Sequence, residues 1–240
     1  MELPRAVEVF VQAFCASKSA FHPYLARRTG PLWVMEDAPG RKQGPRKTEV
    51  VAVELAPGQI VQALNHAGLG WHFVCDVFSD PAEQAARKAE FRRLGYRALA
   101  TEWIFVHDLR EMPDTPATEP EPRLVASAEE WARIPFPRSM RYPDGDGVRP
   151  YAIWTETEFF GRVCSRTFER TGYVSDLYVP APHRRKGYGR ALMARLLFGD
   201  REEGLDGSVL VASTAGAKLY PLLGYRQIAT LALYCPLERD

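Results

Sequence analysis

An internal repeat constrains the fold of this chain more than any other feature of its sequence. Leu94 to Arg97 read Leu-Gly-Tyr-Arg, and the same four residues return as Leu223 to Arg226, 129 positions later. The Ala-Thr pair that follows each copy repeats at the same distance. In both places an apolar strand and a helix precede the repeat and a strand follows it, over Ala98 to His107 and Gln227 to Tyr234. This pattern predicts a tandem duplication, in which the chain contains two copies of one fold.

A stretch rich in proline and acidic residues, Glu111 to Pro122, divides the chain nearly in half. Proline removes backbone donors, so we interpret this stretch as a linker rather than a helix or strand. We therefore expect domains over residues 1–110 and 123–240, joined by a linker over 111–122. In the first domain, strands and helices are predicted to alternate, in the order Glu49 to Leu55, Gln59 to Ala67, Trp71 to Phe78, Ala82 to Arg93 and Ala98 to His107. This alternation is typical of an α/β fold with a mixed central sheet flanked by helices.

The composition excludes several classes of protein. Hydrophobic residues make up 46% of the 240 residues and the net charge is +1, which suits a packed globular chain without a nucleic-acid footprint. No apolar run is long enough to span a membrane, and the first ten residues lack the apolar core of a signal peptide. We expect a cytoplasmic protein with no metal site and four buried thiols, because the cysteines are far apart, at Cys15, Cys75, Cys164 and Cys235.

A basic loop that contains two glycines indicates a binding function. Arg184-Arg185-Lys186-Gly187-Tyr188-Gly189 follows an alternating run, Val174 to Val179, and leads into an amphipathic stretch, Arg190 to Phe198. Two glycines between a strand and a helix leave free N–H groups at the helix N-terminus, which bind phosphate or pyrophosphate. A Walker loop is excluded because Lys186 precedes the first glycine. A dinucleotide fingerprint is excluded because Leu192 stands where its third small residue belongs.

The loop resembles the acetyl-CoA loop of the GNAT superfamily of N-acetyltransferases, whose pattern is Gln/Arg-x-x-Gly-x-Gly/Ala. Downstream, a buried strand is predicted over Ser208 to Ser213 and a short helix over Ala215 to Leu223. Leu219 to Tyr225 then resembles the Leu-Tyr-x-x-x-Gly-Phe/Tyr signature that closes the core of the same family. The resemblance implies an acyl-CoA N-acyltransferase fold in two tandem copies, of which the second is active. Mycothiol synthase has a similar arrangement with one degenerate half.

The resemblance also implies which residues hold the co-substrate, acetyl-CoA. Its pyrophosphate would lie on the N–H groups of the loop, and its pantetheine arm would pair with the preceding strand, where a bulge or splay must expose the backbone. Ser213 stands where many family members place an asparagine. The expected contacts of acetyl-CoA are Leu177, Val179, Arg184, Arg185, Lys186, Gly187, Tyr188, Gly189, Arg190 and Ser213.

The implied reaction is direct attack of a neutral amine on the thioester, which needs a base for the amine and an acid for the leaving thiolate. Tyr220 matches the general acid of the family. Asp176 and Glu156 are alternative bases, since Asp176 lies just before the strand positions that pair with pantetheine and Glu156 lies on the neighbouring hairpin. No acyl-enzyme is expected, because Cys164-Ser165 is not part of a nucleophile elbow and the five histidines show no triad spacing.

The first copy differs from the second where the chemistry would be. At the repeat distance Phe91 replaces Tyr220, and Leu55 to Ile60 replaces the glycine loop with one glycine, a proline and no arginine. We therefore expect the first copy to bind no CoA.

Acceptor contacts are expected in the second domain. There we predict a strand over Arg123 to Val125, a helix over Ala128 to Arg133 with Ser127 as its N-cap, and a polar loop over Pro135 to Pro150. An antiparallel pair follows, formed by Tyr151 to Thr155 and Gly161 to Phe168. In this family the loop region covers the acceptor. Three of its residues are either acceptor contacts or solvated loop residues: Arg138, Arg141 and Tyr142.

The sequence leaves three functions open. The first is an acetyl-CoA-dependent N-acetyltransferase that acts on a small amine or an amino-acid-like acceptor. The second is a catalytically silent acyl-CoA sensor, which would keep the loop without needing Tyr220. The third is an enzyme that acetylates a polypeptide, with the N-terminal half as an interaction surface. We expect a monomer, because two joined copies replace the dimer that some single-domain relatives form.

Overall fold

The structure, a computed structural model, describes residues 1–42, 44, 46–136 and 147–237. Its helices are α1 (Leu3–Lys18), α2 (Pro57–His66), α3 (Gln84–Arg93), α4 (Ala128–Arg133) and α5 (Tyr188–Glu202). Its strands are β1 (Tyr24–Thr29), β2 (Leu32–Asp37), β3 (Thr48–Val53), β4 (His72–Phe78), β5 (Tyr96–His107), β6 (Arg123–Leu124), β7 (Val148–Trp154), β8 (Phe159–Phe168), β9 (Thr171–Tyr178), β10 (Gly207–Ala212) and β11 (Arg226–Pro236). Short 3₁₀ segments cover Pro81–Glu83, Ala181–His183 and Tyr220–Leu223. The expected mixed sheet with flanking helices is confirmed.

The chain packs into two compact units whose boundary differs from the expected division into 1–110 and 123–240. The first unit contains residues 2–104, 212–214 and the chain from Gln227 onward, whereas the second contains residues 105–211 and 215–226 together with Met1. The last strand, β11, therefore belongs to the unit that the N-terminal half builds. Residues 108–122 form neither helix nor strand and lie within the second unit.

The first unit is a sheet with strand order β1-β2-β3-β4-β11-β5. Strands β1, β2 and β3 form an antiparallel meander, β3 and β4 are parallel, and β11 is antiparallel to β4. The core packs apolar side chains of β3, β4, α2 and α3 together with Ala232 and Tyr234 of β11. Helix α1 buries an apolar face that includes Val7, Phe10 and Val11. This burial, with about 1.5–3 kcal/mol for each fully buried large side chain, stabilises the unit.

The second unit has strand order β10-β9-β8-β7-β6, and the last three residues of β5 precede β10 in it. Strands β7, β8 and β9 are antiparallel, whereas β10 is parallel to β9, as a strand-helix-strand connection through α5 requires. Helix α5 lies close to the sheet at Gly161, where a Cβ would be 2.9 Å from Leu192 Cδ1 and 2.9 Å from the Tyr178 carbonyl oxygen. A glycine at this position lets the start of α5 pack against the end of β9.

Two predictions for the second domain need correction. The predicted helix over Ala215 to Leu223 is wrong, since residues 214–219 form turns and only Tyr220–Leu223 is helical, as a short 3₁₀ helix. The physical reason is Pro221, which has no backbone donor and clashes with a preceding helical turn. The predicted loop over Pro135 to Pro150 ends too late, because Val148 already begins β7. Arg138, Arg141 and Tyr142 lie outside the described residues. Helix α4 begins at its predicted cap, where the Ser127 hydroxyl accepts a hydrogen bond from the Glu130 N–H at 3.1 Å.

Candidate active site

The end of β9 departs from regular sheet geometry. Its register with β8 shifts, because Arg162 faces Tyr178 whereas Cys164 faces Ser175, so β9 carries one extra residue. Asp176 lies in this bulge with φ 58°, a left-handed conformation that L-residues rarely adopt. The parallel pairing with β10 ends at Val174 and Leu210, although β9 continues to Tyr178. Asp176 and Leu177 therefore lie beyond the residues of β9 that pair with β10, where the expected splay of the strands would be.

An ion pair holds the bulge. Nε and Nη2 of Arg162 donate to the two carboxylate oxygens of Asp176, with 3.1 Å between Nη2 and Oδ1. Nη1 of Arg162 donates to the Pro135 carbonyl at 2.7 Å, so the guanidinium also fixes the chain that follows α4. Both side chains are largely buried, with 8% of the Arg162 side chain and 18% of the Asp176 side chain exposed. A bidentate pair in this setting directs the oxygens of Asp176 at arginine rather than at a substrate amine.

The glycine loop forms an open helix N-terminus. Gly187 is the N-cap of α5 with φ 90°, and Arg185 before it has φ 64°. The first helical bond runs from the Ala191 N–H to the Gly187 carbonyl at 2.9 Å. No described residue accepts a hydrogen bond from the N–H groups of residues 185–190. These donors, together with the helix dipole, form a site for an anion such as a pyrophosphate.

Positive charge surrounds these donors. Four cations lie in or beside the loop, and none pairs with a carboxylate of a described residue: Arg184, Arg185, Lys186 and Arg190. Arg184 Nε donates to the Val179 carbonyl at 3.0 Å, which ties the loop to the end of β9. Arg190 Nε is buried and has no hydrogen-bond partner among the described residues. An orphaned, buried guanidinium nitrogen at this place fits a ligand with phosphate oxygens.

The linker packs against the same loop, which the sequence did not predict. The Tyr188 hydroxyl donates to the Glu119 carbonyl at 3.1 Å. Thr118 is buried, and its Cγ2 would lie 3.9 Å from a Cβ on Gly187. The linker thus forms one wall of the anion site.

Tyr220 begins the 3₁₀ segment and contributes an aromatic ring to the core of the second unit. Its ring lies 5.6 Å from that of Phe105 and 5.8 Å from that of Tyr225, between centroids. The residue is 7% exposed, and no described residue bonds its hydroxyl. Burial raises the pKa of Tyr220 to about 12, so the hydroxyl keeps its proton at neutral pH. The neighbouring Leu219 approaches the loop, since its Cδ2 lies 3.7 Å from a Cβ placed on Gly189.

Two predicted site residues, Glu156 and Ser213, lie outside the loop and the bulge. Glu156 is exposed on the turn between β7 and β8, and Glu158 of the same turn pairs with His183, with 3.1 Å between Oε1 and Nε2. The ring of His183 packs 4.7 Å from that of Phe160. Ser213 is exposed just after β10 and belongs to the first unit.

The N-terminus of helix α2 in the first unit is occupied by the protein itself. The Gly58 N–H of α2 donates to the Glu90 carboxylate of α3 at 3.2 Å, and the Ala56 N–H donates to the Gln59 side chain at 3.0 Å. The pairing of β3 with β4 runs without a break from Thr48 and His72 to Val53 and Val77. A carboxylate takes the position that a phosphate would need, and the two parallel strands do not separate.

Two side chains that the sequence did not single out are central to the geometry. Arg162 contacts the bulge, and Tyr178 is exposed just beyond it. The signal available for Arg162 was an arginine within the apolar run Phe159 to Cys164, which requires a buried partner.

Comparisons with known proteins agree with this geometry. A model of the acetyltransferase (GNAT) family matches residues 106–225. No curated protein sequence matches the chain. No helix of the described residues is long and apolar enough to cross a membrane, and those residues contain no group of metal-binding side chains.

Several solved structures share the fold. A GCN5-related N-acetyltransferase from Kribbella flavida is similar with a TM-score of 0.65 at 17% identity, over 98% of this chain and 96% of that one. A GCN5-related N-acetyltransferase-like protein from Streptococcus suis has a TM-score of 0.56 at 14% identity, over 95% and 92% of the two chains. A tandem GNAT protein from the clavulanic acid biosynthesis pathway has a TM-score of 0.54 at 14% identity, over 89% and 82%.

Proposed function

Because the chain belongs to the acetyltransferase (GNAT) family, we propose that its second unit is an acetyl-CoA-dependent N-acetyltransferase that acts on a small amine. The family and the fold support acetyl transfer from an acyl-CoA in general. The observation that carries the proposal is the combination of an open, cation-lined helix N-terminus with a bulged strand beside it. A sensor would need only the first of these features.

The residues of the loop fit the phosphates of acetyl-CoA. The N–H groups of residues 185–190 donate to phosphate oxygens, and Arg190 gains the partner that its buried Nε lacks. At the bulge, the backbone near Leu177 and Val179 pairs with the amides of the pantetheine arm. When bound, acetyl-CoA supplies an activated acetyl thioester. The helix dipole contributes about 0.3–1 kcal/mol to holding the anion.

Tyr220 acts as the acid in this proposal. Its pKa of about 12 keeps the hydroxyl protonated, and no protein group competes for that proton among the described residues. The proton passes to the departing sulfur as the bond between carbon and sulfur breaks, and the proton that the attacking nitrogen loses on becoming an amide restores the tyrosine hydroxyl. Phe91 stands at the equivalent position of the first unit without a hydroxyl.

Glu156 is the base that we favour over Asp176. Asp176 is committed to Arg162 through both oxygens, whereas Glu156 is exposed on the turn before β8. Glu156 takes the ammonium proton directly or through a water molecule, so that the neutral nitrogen attacks the carbonyl carbon. Asp176 is a positioning residue, which holds the bulge in its left-handed conformation.

The first unit is a degenerate copy of the second in this proposal, and the ring contacts support the duplication. Phe91 lies 5.7 Å from Tyr96, at an interplanar angle of 71°. The residues 129 positions later, Tyr220 and Tyr225, lie 5.8 Å apart at 69°. Phe105 and Tyr234 are also 129 positions apart, and both contact a ring of the other pair: Phe91 stacks on Tyr234 at 4.0 Å and 21°, whereas Tyr220 is tilted against Phe105 at 5.6 Å and 48°.

The strand directions and the repeated glycines agree with the same origin. In each unit two antiparallel pairs lead to a parallel pair, β3 with β4 and β9 with β10. Gly95 and Gly224 both adopt a left-handed conformation, with φ 85° and 83°. Since Glu90 occupies the helix N-terminus of the first unit, one chain has one acetyl-CoA site.

Calorimetric titration with acetyl-CoA, followed by thiol release with a panel of amines, tests the proposal. Binding of one acetyl-CoA per chain with thiol release is the expected result. Tyr220→Phe should keep the binding and reduce kcat about 10²-fold, in the range for one acid-base group. Tyr234→Phe is the matched control, because it removes a hydroxyl in the first unit and should leave kcat unchanged. Binding without thiol release would favour the sensor, and absence of binding would refute the assignment of the loop.

A further inference from the structure

A row of aromatic side chains lies beside the bulge, and we refer to Trp131, Phe136, Phe159 and Tyr178 as the aromatic wall. Tyr178 follows the bulge directly and is 41% exposed. The Phe159 ring is nearly parallel to it, at 11° and 6.4 Å between centroids. Trp131 and Phe136 stack at 5° and 3.6 Å. Trp131, Phe136 and Phe159 are partly buried against the core of the second unit, and Tyr178 is the exposed ring of the four.

The Arg162 guanidinium joins the two ends of the wall. It lies 4.7 Å from the centroid of Tyr178 and 5.6 Å from that of Phe136. Its hydrogen bonds to Asp176 and to the Pro135 carbonyl use all three of its nitrogens. Three of its five N–H donors are thus held by the protein, and the guanidinium supports the rings.

The charge at the rim of the wall is negative. Glu156 and Glu158 lie on the turn that leads directly into Phe159. Glu158 is partly exposed beside His183, and Glu156 forms no ion pair with any residue that the structure describes. Carboxylates at this position attract an ammonium group before it loses its proton.

We infer that the acceptor is a primary amine that carries an aromatic or similarly flat apolar group, which packs on Tyr178 and Phe159 while its nitrogen reaches the bulge. This inference rests on the proposed function and adds the substrate class. Apolar area and ring-to-ring contact provide the affinity, and the rim carboxylates orient the ammonium. A polyhydroxylated amine would place hydroxyl groups against these apolar rings. Those hydroxyl groups would lose their hydrogen bonds to water and gain none from the protein.

The test compares two primary amines, 2-phenylethylamine and ethanolamine, as acceptors of acetyl from acetyl-CoA. We expect kcat/KM for 2-phenylethylamine to be about tenfold or more above that for ethanolamine, which corresponds to one good aromatic contact with its buried area. Tyr178→Ala should reduce this ratio about fivefold or more. Phe21→Ala, which removes an exposed aromatic ring of the first unit, should leave the ratio unchanged.

A binding measurement separates this inference from the proposed function. Calorimetry of 2-phenylethylamine with the CoA-saturated protein should give a Kd that Tyr178→Ala weakens about fivefold. Amine binding with this dependence but without acetyl transfer would support the wall and overturn the proposed function. Equal use of both amines, an equal loss for both in Tyr178→Ala, or no binding of 2-phenylethylamine would overturn the inference.

Discussion

Asp176 either positions the bulge or acts as the base, and a double substitution distinguishes these two roles. The substitution replaces the Arg162–Asp176 ion pair by two uncharged residues. Asp176 adopts φ 58°, which costs an L-residue about 1–2 kcal/mol, and glycine adopts this conformation freely. Arg162→Leu removes three hydrogen bonds and leaves the carboxylate of Asp176 without its partner. We expect a loss of about 3 kcal/mol in the free energy of unfolding, at the lower end for a buried pair because Asp176 is partly exposed.

The double variant Arg162→Leu/Asp176→Gly should be more stable than the sum of the single changes implies. Asp176→Gly alone relieves the strain but leaves a buried guanidinium without its carboxylate. Each single variant has one unpaired charge and the double variant has none, so we expect a coupling free energy of about 2–3 kcal/mol in urea unfolding. Because glycine keeps the bulge, kcat of the double variant should return to within about tenfold of the wild type.

The two roles predict opposite kinetics. A base contributes about 10²–10⁴-fold, so if Asp176 were the base both variants that lack it would lose that factor in kcat. The assay is thiol release at saturating acetyl-CoA, across pH. A double variant that recovers its stability yet remains as inactive as Asp176→Gly would refute our reasoning, and Glu156 would cease to be the favoured base.

Two further predictions concern the loop and the acid. Gly187→Ala places a side chain at φ 90° and should weaken acetyl-CoA binding about five- to tenfold in calorimetry. A Cβ on Gly189 meets its neighbours at ordinary distances of 3.7 and 3.8 Å, so the Gly189→Ala variant should bind acetyl-CoA more tightly than the Gly187→Ala variant. The reverse order would contradict the assigned backbone geometry. Because burial raises the pKa of Tyr220 to about 12, the protonated, active form persists as the pH rises and is lost only near that value. When kcat is measured from about pH 8 to 10, deprotonation of Tyr220 should cause no decrease in kcat. A decrease in kcat near pH 10 that is absent in Tyr220→Phe would show that the tyrosine is not buried.

Local patterns predicted much of the fold. Strand β10 and helix α5 match the predicted strand and amphipathic stretch closely, and Ser127 begins α4 as its side-chain chemistry predicts. Helix α1 was not predicted, although its buried positions Ala6, Val7, Val9, Phe10 and Ala13 recur at helical spacing. That signal was present in the sequence.

Long-range features could not be predicted from local pattern. The left-handed Asp176 depends on Arg162, a residue on another strand, because the pair compensates a conformation that the sequence around Asp176 disfavours. The position of β11 depends on pairing with β4, and strand periodicity does not specify which neighbour a strand will have. The contact between Tyr188 and Glu119 joins residues 69 positions apart, with a backbone carbonyl as acceptor, which leaves no trace in residue type.

The position of β11 between β4 and β5 affects how the chain folds during synthesis. Residues 2–104 leave the ribosome first, but the first unit lacks an inner strand until residues 226–236 have been made. Until then one edge of β4 is exposed and open to wrong pairing. Nonsense codons late in the gene therefore damage the part of the protein that is translated first, and the N-terminal half depends on translation reaching the C-terminal strand.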